Sequence, residues 1–102
     1  MKSQEPMTLP RLGALMERCQ KDTLEILGQR AAGRLANWQR YESDLEGLVK
    51  FIKKRLLSES RENGRKLEIS KKLSLERIVV YHFPELFDPD DIELAKATLE
   101  GL

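Results

Sequence analysis

The chain has 102 residues, 40% of them hydrophobic and 34% charged, and a formal net charge of +1. That length suits one ordinary domain with a modest core, and the charged share favours helices with large solvated faces over sheets. A lone cysteine, Cys19, excludes an internal disulfide, and with the single histidine, His82, it falls short of the ligand set of an ordinary zinc site. No apolar run approaches the roughly 18 residues that a bilayer span needs.

Residues 1–7 lack the apolar stretch of a signal peptide and read as a disordered leader to a single helical domain, 8–102, in a reducing, cytoplasmic setting. Thr8 is the candidate cap of a first helix, with Pro10 near its first turn. Leu9, Leu12, Leu15, Met16, Cys19, Thr23, Ile26 and Leu27 recur along one side of that helix. Gly28 and Gly33 bracket the next four residues and predict a turn that folds two helices into a hairpin. That stretch offers no proline and no Ser, Asp or Asn cap, so one kinked, continuous helix is the alternative.

The spacing predicts a second helix from Arg34 to about Glu62, with Leu35, Trp38, Tyr41, Leu45, Leu48, Val49, Ile52 and Leu56 on its inner face. Trp38, Leu45, Ile52 and Leu56 should form one apolar seam. Phe51 and Leu57 fall off that stripe, and Asn63 and Gly64 supply a left-handed stop. Residues 65–73 read either as a short extended piece or as a loop. Ser70 or Ser74 can cap a helix through Leu75, Ile78, Val79 and His82; the β-branched and aromatic run 78–83 leaves a strand open, and helix is the preferred reading. Pro84 ends this element. Asp88, Pro89, Asp90 and Asp91 mark the clearest boundary, a cap and first turn of a last helix that presents Ile92, Ala95 and Leu99 on one side. The expected fold is all-α: a small helical bundle built on a long two-helix hairpin, with two shorter C-terminal helices.

Charge is divided along the chain. Residues 1–49 sum to zero, residues 50–77 carry ten basic and four acidic side chains, and residues 84–102 carry one basic and six acidic. The basic block offers Lys50, Lys53, Lys54, Arg61, Arg65, Lys66, Lys71 and Lys72 as phosphate contacts, unless it is a solvated face or meets the acidic block. Phe51 is the one aromatic beside the block's lysines, which gives little support to stacking of unpaired bases. Within it, residues 69–84, ISKKLSLERIVVYHFP, resemble a degenerate helix-turn-helix of the tetracycline-repressor type, through Ile69, Tyr81 and the His82, Phe83, Pro84 ending. Ser74 stands where that family has a turn glycine, Leu73 where it has a small residue, and the ending falls one position early. The resemblance implies a DNA-reading unit, although Ile78, Val79 and Val80 suit base edges poorly.

Two functions fit these residues. The first is a non-enzymatic protein-protein interaction module, an adaptor, inhibitor or chaperone-like regulator. It would bind a protein partner or a second copy as a homodimer through Trp38, Leu45, Leu48, Phe51, Ile52 and Leu57, because the second helix outruns what the first can cover. The alternative is a nucleic-acid-binding regulator using 50–72 and the helix-turn-helix. No acid, base and nucleophile converge, so no catalysis, cofactor or small-molecule substrate is expected. Asp88, Asp90, Asp91 and Glu93 open like a calcium loop, but Ile92 occupies a ligand position, and the cluster reads as a cap rather than a metal site. Membrane binding is not expected, since the apolar faces are needed for the core.

Overall fold

The computed structural model describes residues 5–101, with side chains from Thr8 onward. Of the expected leader, residues 1–4 lie outside the described residues. Six α-helices follow one another: α1 (Glu5–Leu27), α2 (Gln29–Ala36), α3 (Leu45–Ser58), α4 (Arg61–Ile69), α5 (Leu75–Arg77) and α6 (Pro89–Glu100). Short 3₁₀ turns span Asn37–Tyr41 and Pro84–Leu86, and a π turn, Ile78–His82, extends α5. There is no strand among the described residues, and the all-α class holds.

The hairpin turn falls at Gly28. Its backbone has φ 98°, a conformation strained for any residue with a Cβ, and its N–H donates to the carbonyls of Thr23 and Leu24 at 3.2 and 3.1 Å. Here α1 stops and α2 folds back against it. Gly33 makes no turn and lies inside α2.

The long second helix, Arg34 to Glu62, is broken twice. After Ala36 the chain tightens into the 3₁₀ turn, and Asp44, extended at φ −136°, caps α3 by accepting from the Gly47 N–H at 3.0 Å. Ser60 then caps α4, accepting from the Glu62 N–H at 3.0 Å. Each cap satisfies an amide that a new helix start would otherwise leave bare, so two short helices replace one long one. The expected stop at Asn63 and Gly64 is likewise absent, since both lie within α4. Gly64 is instead a point of close approach: a Cβ there would stand 2.8 Å from Glu76 Oε2 and from Thr98 Cγ2.

The core gathers Leu12, Met16 and Cys19 from α1 with Leu35, Trp38, Leu48, Ile52, Leu56, Leu75, Ile78, Val79, Phe83, Phe87 and Ala95. Trp38, Ile52 and Leu56 are buried in it, Leu45 packs against it, and the predicted seam is therefore one seam. The chain closes that seam on itself. Burial of each large side chain contributes about 1.5–3 kcal/mol before conformational entropy is set against it. The Trp38 indole N–H is satisfied by Gln20 Oε1 at 3.0 Å.

Of residues 78–83, Ile78–His82 are helical rather than strand, and Phe83 ends the turn. Fully buried Ser74 caps the element by accepting from the Arg77 N–H at 3.2 Å, and the Phe83 N–H reaches back to the Ile78 carbonyl at 2.9 Å. The last helix starts where predicted: Asp88 caps it, Pro89 opens it, and the Asp88 N–H donates to Asp91 Oδ2 at 3.2 Å in a reciprocal capping box. Helix α6 packs across α4 and α5, and its acidic start meets the basic segment at one point. There Lys53 Nζ lies 3.0 Å from Asp88 Oδ2 and 3.6 Å from Asp91 Oδ2.

Candidate nucleic-acid interface

The break at residues 42–44 lays the 3₁₀ turn beside α3, and a groove opens between them. Arg34 from α2 and Asn37, Arg40 and Tyr41 from the turn form one wall; Gly47, Lys50, Phe51, Lys54 and Arg55 form the other. The α3 residues recur at three- and four-residue spacing, which puts them on one face. The volume is about 370 Å³, within the range of roughly 300–1,000 Å³ common for ligand clefts.

Five cations and no carboxylate line this groove. Glu59, at the end of α3, holds Arg34 Nε at 3.4 Å and Arg55 Nη1 at 3.3 Å on a single oxygen, Oε2. Arg40, Lys50 and Lys54 are exposed and have no ion-pair partner among the described residues.

Tyr41 and Phe51 sit among those charges, their ring centroids 5.9 Å apart and their planes tilted by 36°. Both are half-buried, and both pack against the core while lining the groove. Gly47 makes the arrangement possible. A Cβ at that position would stand 2.8 Å from Tyr41 Cδ1, so only a bare backbone admits the ring against the first turn of α3.

A second basic hollow, of about 290 Å³, is lined by Arg18, Glu68, Lys71, Lys72, Leu73, Arg77 and His82. Its charges are largely paired. Arg77 Nη1 donates to both oxygens of Glu68 at 2.9 and 3.1 Å, Lys72 meets Glu25 at 3.1 Å, and Arg18 lies 3.9 Å from Asp22. Asp22 also accepts from the Leu73 N–H at 2.9 Å, tying this loop to α1. Lys71 turns the loop in a left-handed conformation, φ 60°. His82 is exposed; partial desolvation, then the charges of Arg77, Arg18 and Arg11, hold its imidazole below the usual histidine range.

The expected basic residues are thus dispersed. Lys50 and Lys54 reach the groove; Lys71 and Lys72 reach the hollow; Lys53 is engaged by α6, where its hydrogen bond to Asp88 raises its pKa. Arg61 and Lys66 are exposed outside both, and Arg65 has a buried, unpartnered Nε with its guanidinium against Gly101. Arg34, Arg40 and Tyr41 were missed by the sequence reading because they precede the basic block. The residues expected to meet a protein partner fare differently again. Trp38, Leu48 and Ile52 are buried, Leu45 and Phe51 are half-buried, and Leu57 is 71% exposed.

Of the segment resembling a helix-turn-helix, only Ile69 belongs to α4; a turn and then α5 follow. Its second helix, however, buries Leu75, Glu76, Ile78 and Val79, leaving no polar face long enough to enter a groove. Glu76, on α5, is buried and lines neither the groove nor the hollow. Burial raises its carboxyl pKa, opposed by hydrogen bonds to the backbone and Ser74 and reinforced by the charges of Glu59 and Glu68. Burial also pushes the Cys19 thiol up to about 12, which leaves it an unreactive apolar group. No group of three or more His, Cys, Asp or Glu side chains suited to a metal ion occurs among the described residues, and no described helix is long and apolar enough to cross a membrane. Comparison with known proteins finds no family model, no curated sequence and no solved structure that matches the chain.

Proposed function

We propose that the chain is a non-enzymatic nucleic-acid-binding regulator whose groove between residues 34–41 and α3 holds the phosphate backbone. The observation that carries this reading is the convergence of Arg40, Lys50 and Lys54, each without a carboxylate partner, on a groove whose lining contains no acid. Phosphates brought there release their counterions, and the entropy of that release drives binding without reading sequence. Arg34 and Arg55 are available as well, half-compensated by Glu59. The protein-partner and homodimer readings have less support. Of their six residues only Leu57 stands exposed, and a single exposed leucine is ordinary.

Fluorescence anisotropy of labelled DNA and RNA over a salt series tests the proposal. Affinity should fall linearly in a double-logarithmic plot, by about 0.7–0.9 in slope for each phosphate engaged. Absence of binding to every nucleic acid at low salt would remove the proposal.

A further inference from the structure

Resting on the nucleic-acid reading of this groove, we infer that it selects single-stranded over duplex nucleic acid, one unpaired base stacking on the Tyr41–Phe51 pair while Arg40, Lys50 and Lys54 hold the neighbouring phosphates. The placement of the two rings carries this. Each packs against the core on one side and lines the groove on the other, so the platform is held in position before any ligand arrives. The rings stand one in each wall of the cleft among its cations, with Arg40 beside Tyr41 in the 3₁₀ turn and Lys50 and Lys54 flanking Phe51 on α3. An unpaired base offers a π face to such a platform, whatever its identity; a base inside a duplex has already given both faces to its neighbours. The walls of the cleft are α3 and a five-residue 3₁₀ turn, so the two rings are reached within a recess and not on a projecting element. Gly47 is the positioning residue, since any Cβ there displaces Tyr41.

An acidic protein segment would feel the same charges but has no use for the two rings, and it enters the test as a competitor. The full chain is titrated with labelled oligo(dT) or oligo(U), with an abasic strand of the same length, and with a duplex, all at one low salt concentration. Binding to the strands with bases should exceed binding to the abasic strand and the duplex by about tenfold, the scale of one stacked base. Phe51→Leu and Tyr41→Leu should each weaken binding of the strands with bases more than binding of the abasic strand, with unaltered circular dichroism as the check on folding. Equal binding of oligo(dT), abasic strand and duplex by the unmodified chain overturns the inference without any variant. If Arg40→Gln with Lys50→Gln still weakens that equal binding, the groove survives as a phosphate site and only the stacking is lost. Polyglutamate displacing the strand as well as unlabelled oligo(dT) does also overturns the inference, and no binding by any strand overturns it together with the proposed function.

Discussion

The groove beside α3 and the hollow around Lys71 are both rich in lysine and arginine, yet they present different surfaces. In the hollow, Arg18, Lys72 and Arg77 each face a carboxylate of their own: Asp22, Glu25 and Glu68. In the groove, one oxygen of Glu59 serves two arginines, and Arg40, Lys50 and Lys54 face none. What a basic surface offers a polyanion depends on the acids folded opposite it, and two of the hollow's three come from α1, far away in the chain. Summing charge over 50–77 cannot reveal this, because the sum treats Lys50 and Lys72 alike.

The contrast can be broken most directly by matched substitutions. Arg40→Gln, Lys50→Gln and Lys54→Gln together should weaken binding to a single strand on the order of 100-fold at low salt and flatten the salt slope by about 2, as phosphate contacts are lost. Arg18→Gln, Lys72→Gln and Arg77→Gln together should weaken it less than about 3-fold. Equal losses from the two triple variants would abolish the distinction.

The next effect is on stability and concerns the buried Glu76. Because the folded Glu76 has a raised pKa, the native state binds more protons than the unfolded chain across the interval above the ordinary glutamate range. Stability should therefore decline as pH rises through that interval, and Glu76→Gln should remove the decline. Denaturant melts at several pH values measure it, and an unchanged slope in the variant would dismiss Glu76 as its source. Smaller still, Arg77→Gln leaves Glu68 without its ion-pair partner and should cost about 0.5–1 kcal/mol, since the pair is partly screened by water. Lys50→Gln, which breaks no pair, should stay within about 0.5 kcal/mol of the parent in the same urea titration.

Features set by neighbouring residues were legible in the amino-acid order. Asp88 and Pro89 announce α6, Gly28 makes its turn, and the seven- and four-residue spacing of Trp38, Leu45, Ile52 and Leu56 marks one apolar seam. The breaks at Asp44 and Ser60 were not legible from the same periodicity, because the apolar spacing runs on across both caps. A signal was present in Ser43 and Asp44 side by side and again in Ser58 and Ser60, residue types that favour caps over helix interiors. Missing those breaks turned a closed core into an apparently open face and hid the groove, whose walls exist only because the chain turns between Tyr41 and Leu45. Phe51 looked isolated for the same reason: its companion Tyr41 is drawn as an inner-face residue when the helix is drawn straight.

Gly47 has a consequence for how this surface can change. The Tyr41 ring and the Asp44 carboxylate both occupy the space that a side chain at position 47 would fill. One methyl group there would tilt the ring and loosen the cap of α3 together. Cleft shape and helix start are in this way yoked at a single backbone atom, and lineages that retain the cleft should be unable to exchange this glycine even for alanine.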